Sequence, residues 1–359
     1  MRNLFTPILP ITAAAFFGLG MFGTTVTNVA VAAEKTEILV YTAAALDDLN
    51  RRRKNFEEAT PDVTIRWLRP GSTGVTVARL LAEKDNPKAD AIYGIGATHM
   101  MVLARAGILH PYRPKYYDTV TPKFRDPKND PPMWVGEYAY IASICFNTVL
   151  TKKKGIPRPT SWKDLTKPVY KGHIIMPSPN ASGTGFLNVS SWLQMFGWDE
   201  GWKFMDALDK NIAYYERSGS KPCVHAGQGE IPLGISFAFR GVREIRKGAP
   251  LEIIPPSEGL GWEMNASGIH KGTKKLVAAQ KFMDWVSSEG ASVMHNETYA
   301  IVSHPKVAKK VEHYPADPMN KIIKNDFYWA SDNREKILNE WTKRYSSKTI
   351  AKKKKKKKK

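Results

Sequence analysis

Three short turns of glycine and hydroxyl residues are the segments of this sequence best suited to binding chemistry. Each precedes a segment with helical spacing. We call them the first, second and third glycine turns: Gly71-Ser72-Thr73-Gly74, Ser182-Gly183-Thr184-Gly185 and Ser218-Gly219-Ser220. A helix N-terminus presents unpaired N–H groups and a partial positive charge, so anions bind there readily. Hydroxyls add donors, and glycine lets a ligand approach the backbone. One such turn usually marks plain helix capping, but three predict a site for a small anion.

The first glycine turn belongs to a series of alternating strand and helix patterns. Strands are predicted at 36–42, 63–68 and 89–94, and helices at 43–60, 75–84 and 100–106. Repeated strand–turn–helix units predict a parallel sheet with helices on its faces. Ligands bind beyond the carboxyl ends of the strands in such open sheets. The Tyr41-Thr42, Ser72-Thr73 and Ala97-Thr98 loops are therefore expected to meet at one crevice.

The second half of the chain repeats this alternation after a Pro-rich segment at 114–132, which predicts a loop. Further strands are predicted at 138–146, 173–176, 212–215, 233–237 and 262–269, and a helix at 276–286. Near the C-terminus, Asp332 and Glu335 have capping-box spacing. The helix that follows is expected to bury the apolar stripe formed by Ile337, Leu338, Trp341 and Tyr345.

The first residues, 1–33, have the layout of a cleaved secretory signal peptide. Arg2 is followed by an almost wholly apolar run over 4–23, and Ala30-Val31-Ala32 supplies the small residues that precede cleavage. No cysteine lies near that point, so lipid attachment is not expected. A freely soluble exported protein is retained only inside an outer membrane, which predicts the periplasm as its location.

The net charge is +20, and part of it comes from the lysine run at 352–359. A homopolymer cannot pack, so 351–359 is predicted to be a disordered poly-Lys tail. The rest is still basic, which helps to attract anions, while export makes nucleic-acid binding an unlikely role. Cys145 and Cys223 are the two cysteines; in an oxidising compartment they could form a disulfide or remain separate buried thiols.

Most signatures of catalysis are missing from the sequence. It contains no Gly-x-Ser-x-Gly elbow, no Walker-type phosphate loop, and no histidine or cysteine pairing typical of zinc sites. We therefore predict a protein that is not an enzyme and has no cofactor and no metal. A secreted phosphoester or phosphonate hydrolase is the alternative of another class.

Several segments spread over the chain resemble one family of transport receptors. They are 80–87, 144–148, 159–162, Ser182-Gly183-Thr184-Gly185-Phe186, Ser218-Gly219-Ser220-Lys221-Pro222-Cys223 and Gly259-Leu260-Gly261-Trp262. The chain resembles the periplasmic solute-binding proteins of ABC importers, and closely those that bind 2-aminoethylphosphonate. The resemblance implies an α/β, two-lobed type 2 periplasmic-binding fold. In this fold each lobe is a mixed, mostly parallel sheet flanked by helices, and the ligand lies in the interlobe cleft. It also implies a monomer that delivers its ligand to an inner-membrane ABC permease.

This resemblance, combined with the patterns above, predicts the lobes and the ligand contacts. Lobe 1 is expected at 34–137 and 264–304, and lobe 2, with the C-terminal helices, at 138–263 and 305–350. The phosphonate is expected to contact nine hydroxyl residues: Ser72, Thr73, Ser182, Thr184, Ser218, Ser220, Tyr41, Thr42 and Thr98. The ammonium group needs a carboxylate or an aromatic face, and the candidates are Glu263, Trp262, Glu137 and Tyr138. Arg240 either helps to bind the anion or pairs with an acid.

A ferric-iron receptor is the alternative within the same class. Related periplasmic proteins often bind iron through two consecutive tyrosines, and Tyr214-Tyr215 is such a pair. The iron-binding pair is expected one strand later, however, where this chain has Phe237-Ala238-Phe239, which cannot bind a metal. Phosphonate-binding relatives often have an acidic residue and a tyrosine in place of Ala238 and Phe239. This departure points to another phosphonate or to weaker binding of the usual one.

Overall fold

The structure is a computed structural model that describes residues 34–44 and 46–350. The predicted signal peptide and the predicted lysine tail lie outside these residues. Within them, no helix has the length and apolar character needed to cross a membrane.

The described residues form these strands: β1 Thr36–Thr42, β2 Val63–Leu68, β3 Ala91–Gly96, β4 Leu109–His110, β5 Val135–Asn147, β6 Ile174–Pro177, β7 Ile212–Glu216, β8 Leu233–Phe237, β9 Leu251–Ile254, β10 Trp262–His270 and β11 Ile301–Val302. The α-helices are α1 Leu46–Ala59, α2 Thr73–Ala82, α3 Ala97–Arg105, α4 Thr148–Lys154, α5 Gly183–Phe196, α6 Trp198–Asp209, α7 Lys221–Gly227, α8 Ala238–Ile245, α9 Leu276–Val286, α10 Glu289–Asn296, α11 Pro318–Lys321, α12 Phe327–Asp332 and α13 Arg334–Tyr345.

The main strands follow one another in the order β2-β1-β3-β10-β5-β8-β6-β7. β1 is parallel to β2 and β3, and β6 is parallel to β7 and β8. The centre is antiparallel, because β10 pairs with β3 and β5, and β5 pairs with β8. The predicted two-lobed α/β fold is confirmed, with a parallel group of strands on each side of the antiparallel centre.

Strand β5 links the two groups of strands. Its N-terminal half pairs with β10 and its C-terminal half with β8 and β9. All thirteen of its residues are buried, as expected for a strand covered on both faces. The predicted lobe boundaries at 137/138 and 263/264 fall within β5 and β10, and these boundaries stay predictions.

Aromatic clusters form much of the core on each side of β5. In the β1–β3 group, Phe56 packs against Phe282 and Trp285 with ring centroids 5.6 Å apart. In the β6–β8 group, Trp162 meets Trp192 edge to face at 5.3 Å. Such edge-to-face pairs contribute about 0.5–1.5 kcal/mol beyond the area that they bury. Both aromatic clusters belong to one continuous hydrophobic core that extends across the sheet.

The predicted capping box before the last helix is wrong. Asn333 is the N-cap of α13, and its side chain makes no capping hydrogen bond. Asp332 ends α12 instead, and its carboxylate pairs with Arg105 at 2.9 Å. Three members of the predicted apolar stripe, Ile337, Trp341 and Tyr345, are buried, and Leu338 is half-buried.

The two cysteines form a disulfide between β5 and α7. The Cα atoms of Cys145 and Cys223 are 5.3 Å apart, and both side chains are fully buried in a small apolar cluster with Ile175 and Ala226. The sequence left open whether the cysteines form a disulfide or remain separate thiols, and the packing of α7 against β5 brings them together as a disulfide. The disulfide joins α7, which follows the third glycine turn, to the central strand.

Candidate functional site

The three glycine turns meet at one cavity of about 460 Å³, which we call the cleft cavity. Six of the predicted hydroxyl residues line it: Ser72, Thr73, Ser182, Thr184, Ser218 and Ser220. The first turn runs into the start of α2 and the second into the start of α5, and the third directly precedes α7. The structure thus brings together hydroxyls from both groups of strands. Their predicted role in binding an anion stays a prediction.

The glycine turns interlock closely, and their glycines make this possible. A Cβ atom on Gly183 would lie 3.3 Å from the Thr73 hydroxyl, and one on Gly219 would lie 2.8 Å from the Thr184 Cβ. The Ser236 hydroxyl donates to the carbonyl of Gly219 and holds the third turn on β8. A small ligand in the cleft cavity can therefore reach more than one turn at once.

The first two turns differ in how their hydroxyls are used. Ser182 caps α5, because its Oγ accepts a hydrogen bond from the Gly185 N–H at 3.4 Å. Ser72 caps α2 by position only, and its hydroxyl donates to the Ala181 carbonyl across the cleft. The N-terminal N–H groups of α2 thus lack a side-chain acceptor from their own cap, which leaves them available to an anion.

Direct contacts hold the two sides of the cleft together away from the turns. Arg243 of α8 donates to the carboxylate of Asp48 of α1 at 2.7 Å, and both side chains are largely buried. Arg246 also donates to the carbonyl of Glu297 at 3.0 Å. The structure therefore corresponds to a closed cleft.

The remainder of the cleft cavity is largely aromatic. Tyr138, Tyr140, Phe237, Phe239 and Tyr299 line it. Tyr138 stacks on Tyr299 with centroids 3.7 Å apart, and Phe237 stacks on Phe239 at 4.3 Å. These flat faces can pack against the carbon atoms of a ligand or against a cation.

A buried polar network supports this aromatic wall. Arg52 donates to the Tyr93 hydroxyl and lies 3.0 Å from the Nδ1 atom of His295. On the other edge of the imidazole, Nε2 is 3.4 Å from the Glu137 carboxylate. Burial, followed by the charge of Arg52, lowers the pKa of His295 to about 4. This histidine is therefore neutral near pH 7. Its ring packs against the ring of Tyr138, with the two centroids 4.7 Å apart.

Two of the remaining hydroxyl candidates lie at the end of β1 and are buried. The Tyr41 hydroxyl donates to Glu83 at 2.7 Å, and burial raises its pKa to about 12. The Thr42 hydroxyl accepts a hydrogen bond from the Ala44 N–H at 3.0 Å. Neither belongs to the lining of the cleft cavity, so each supports the loop above it in this closed structure. Their predicted ligand contacts stay predictions.

Thr98 and Glu263 interact with each other at the start of α3. The Thr98 hydroxyl donates to the Glu263 carboxylate, which also accepts from the Met264 N–H at 3.0 Å and from N–H groups of Ala97 and Thr98. The protein's own carboxylate thus occupies the anion position at this helix N-terminus. Both side chains are buried outside the cavity lining, so the ligand roles predicted for them stay predictions without a contact here.

The remaining ammonium candidates are placed differently from one another. Tyr138 lines the cleft cavity, where the Asn265 amide donates to its hydroxyl at 2.6 Å. Trp262 donates to the carbonyl of Ile323 at 3.1 Å. Glu137 is fully buried and accepts from the Ser267 hydroxyl. Among these candidates, a cation in the closed cavity would meet Tyr138.

The tyrosine pair of the ferric alternative lies away from the cleft cavity. Tyr215 is buried, donates to Asp209 at 2.8 Å and packs edge to face on Trp341. Tyr214 is half-buried and packs beside the disulfide cluster. Over 34–44 and 46–350, no group of three or more His, Cys, Asp or Glu side chains is arranged to hold a metal ion.

Sequence reasoning missed several residues of the cavity lining, including Arg69, Asn265 and Tyr299. Arg69 lies shortly before the first glycine turn, so the sequence could have indicated a cationic side chain near that turn. Asn265 and Tyr299 had no such signal, because they reach the cavity only through strand pairing and the packing of α10.

Glu263 predicts a dependence of stability on pH that a variant can isolate. Burial raises its pKa to about 7, whereas an unfolded glutamate titrates near about 4.3. The folded state therefore keeps a proton that the unfolded chain has already released, and stability falls as pH rises between these values. The loss attributable to Glu263 is about 3 kcal/mol. Urea unfolding from about pH 4.5 to 8 should show wild type losing stability relative to Glu263→Gln; parallel curves would contradict this.

Comparison with known proteins assigns this chain to a family. The profile of the bacterial extracellular solute-binding proteins matches residues 86–328. An uncharacterised protein of Haemophilus influenzae is 31% identical over 313 residues, which cover 86% of this chain and 90% of that one. A probable ABC transporter periplasmic-binding protein of Sinorhizobium fredii, y4fP, is 25% identical over 62% of each chain.

A solved structure agrees with this assignment. The periplasmic binding protein AfuA of Actinobacillus pleuropneumoniae, with exogenous fructose-6-phosphate bound, superimposes with a TM-score of 0.81 at 31% identity. The match covers 87% of this chain and 99% of AfuA. The chain therefore belongs to the bacterial extracellular solute-binding proteins, the class that supplies ABC transporters with their solutes.

Proposed function

We propose that this protein is a periplasmic receptor for a small organophosphorus anion, with 2-aminoethylphosphonate as the first candidate ligand. The observation that carries the proposal is the convergence of three glycine turns, from both sides of the cleft, on one cavity. Their hydroxyls and the N–H groups at the starts of α2 and α5 match the several oxygens of a phosphonate. An anion held from both sides stabilises the closed cleft, and the closed form would present the ligand to an inner-membrane permease.

The amine of 2-aminoethylphosphonate is proposed to lie against the aromatic wall. Tyr138, Tyr140 and Tyr299 supply ring faces of the kind that bind ammonium groups. Glu263, one of the ammonium candidates from the sequence, is already hydrogen-bonded at the start of α3. Phe239 stands where relatives often have tyrosine, and it is part of the same wall. We therefore expect the amine to add less affinity than the phosphonate.

A sugar phosphate is the second candidate. The cleft cavity of about 460 Å³ is within the size range of drug-sized ligand sites and offers more room than an aminoethyl chain needs. AfuA, at 31% identity, was solved with fructose-6-phosphate bound. Tyrosine hydroxyls and the Asn265 amide could bind sugar hydroxyls, whereas the phosphate would occupy the same three turns.

Isothermal titration of the mature protein distinguishes these ligands. We expect one-to-one binding of 2-aminoethylphosphonate with a dissociation constant of about 1 μM or lower, equivalent to about −8 kcal/mol. Ethylphosphonate measures the contribution of the amine, inorganic phosphate that of the head group alone, and fructose-6-phosphate tests the second candidate. Ferric citrate is included because of the tyrosine pair.

Each outcome of this titration leads to a different conclusion. Tighter binding of the sugar phosphate would replace the first candidate with the second and leave the turns in their role. A strong ferric signal without phosphonate or phosphate binding would contradict the proposal. Hydrolysis of a phosphoester during the titration, detected as released phosphate, would favour the secreted hydrolase.

A further inference from the structure

Two arginines line the cleft cavity from opposite sides, and the proposed function has so far given them no role. Arg69 follows β2 shortly before the first glycine turn, and Arg240 lies in the first turn of α8, directly after β8. Both side chains line the cleft cavity. Among its lining residues in the described part of the chain, they are the charged ones, and both are positive. Among the described residues, the cavity wall therefore has two cationic side chains and no carboxylate.

Arg240 is buried and incompletely paired. It is 9% exposed, and its Nε atom finds no hydrogen-bond acceptor among the described residues. Its Nη1 atom lies 3.3 Å from the Glu244 carboxylate, which Lys247 shares at 3.2 Å. One carboxylate thus faces two cations. A buried N–H group without an acceptor is unfavourable, and a ligand oxygen in the cavity is a suitable acceptor for it.

Arg69 is exposed but held in position. Its Nε atom donates to the Ala44 carbonyl at 2.8 Å, and Ala44 also lines the cleft cavity. No described carboxylate lies within 4.0 Å of its guanidinium nitrogens, unlike those of Arg66 and Arg79. Its terminal nitrogens are therefore available to a ligand, with more screening by solvent than at Arg240.

We propose that Arg69 and Arg240 set the charge selectivity of the cleft, so that it accepts dianionic phosphonates and phosphate monoesters and rejects monoanions of the same shape. This deepens the proposed function and rests on it. Hydroxyl and N–H groups bind any tetrahedral oxyanion, so the glycine turns alone distinguish a phosphonate poorly from a sulfonate. Guanidinium groups respond to the second negative charge, because charge-assisted hydrogen bonds strengthen with the charge of the acceptor.

A pair of ligands that differ in this charge provides the test. Taurine, 2-aminoethanesulfonate, has the chain, amine and tetrahedral head of 2-aminoethylphosphonate but one negative charge fewer. Wild type is expected to bind the phosphonate about 100-fold more tightly than taurine. The sugar-phosphate candidate is tested in the same way with glucose 6-phosphate and glucose 6-sulfate.

Substitution of each arginine should reduce the selectivity rather than all binding. In Arg240→Gln the phosphonate affinity is expected to fall about 30-fold, and in Arg69→Gln about 10-fold because solvent screens that site. Taurine affinity is expected to change by less than about threefold in both variants, since a monoanion gains less from the charge. Arg66→Gln is the matched control, because Arg66 lies on β2, pairs with Glu37 and is not part of the cavity lining.

The outcomes separate this inference from the proposed function. Unchanged phosphonate-to-taurine ratios in both variants, with binding intact, would overturn the selectivity role and leave the receptor in place. Wild type that binds taurine as tightly as the phosphonate would do the same. Failure of every phosphorus anion to bind wild type would overturn both. Circular dichroism and thermal unfolding identify a variant that is misfolded, and Arg240→Lys, which keeps the charge, should then retain most of the selectivity.

Discussion

Replacing Gly219 by alanine is expected to weaken phosphonate binding about 100-fold, the size of losing one or two hydrogen bonds to a charged ligand. The new Cβ would lie 2.8 Å from the Thr184 Cβ and 2.9 Å from the Ser182 Oγ. Real Cβ atoms do not approach that closely, so the second and third glycine turns must separate. The hydroxyls that converge on the cleft cavity would then no longer reach one anion together.

Titration calorimetry with 2-aminoethylphosphonate, or with the sugar phosphate if that binds more tightly, measures the effect. Gly290→Ala is the matched control: Gly290 lies in α10, and the nearest atom to a new Cβ is the Ser288 Oγ at 3.7 Å. The control should bind normally and gain up to about 1 kcal/mol of stability from helix propensity. Affinity of Gly219→Ala within about threefold of wild type would show that the turns do not act as one site.

Removing the disulfide with the double variant Cys145→Ala/Cys223→Ala is expected to lower the free energy of unfolding by about 4 kcal/mol. The two cysteines are 78 positions apart, so the cross-link excludes many conformations of the unfolded chain. Both side chains are buried, so alanine leaves small cavities that add to the loss. Equilibrium unfolding in urea measures the difference.

Wild type unfolded in the presence of a reductant is the matched control and should approach the stability of the double variant. The disulfide also fixes α7 to β5, directly after the third glycine turn. We therefore expect the folded double variant to bind its ligand more weakly than wild type as well. A stability loss below about 1 kcal/mol would mean that packing alone holds α7 in place.

Local pattern was sufficient for most of the secondary structure. The predicted strand 233–237 and helix 276–286 coincide with β8 and α9, because apolar periodicity and chain-local signals define them. Helices α4, α6, α8, α10, α11 and α12 were not predicted. In α8, Phe239 and Arg240 line the cleft cavity, and Arg243 pairs with Asp48 of α1. Sequence spacing does not reveal these distant partners.

The three glycine turns could be identified from sequence alone. The hydroxyls, glycines and following helices are contiguous, so their chemistry needs no distant partner to be recognised. The same holds for the absence of catalytic signatures. The resemblance to transport receptors rests on these contiguous segments too, and family membership agrees with it.

The identity of the charged side chains that line the cleft cavity depends on long-range folding. Glu263 looked suitable for a cation, but the pairing of β10 with β3 places it beside α3, where its carboxylate satisfies the helix N-terminus. Strand pairing likewise removed Glu137 and the tyrosines of 214–215 from the cavity lining, and it brought Cys145 to Cys223. Arg69 and Arg240 lie far apart in sequence and face one cavity only after folding. The orientation of a side chain depends on packing between residues that are distant in sequence, so local sequence patterns do not predict it.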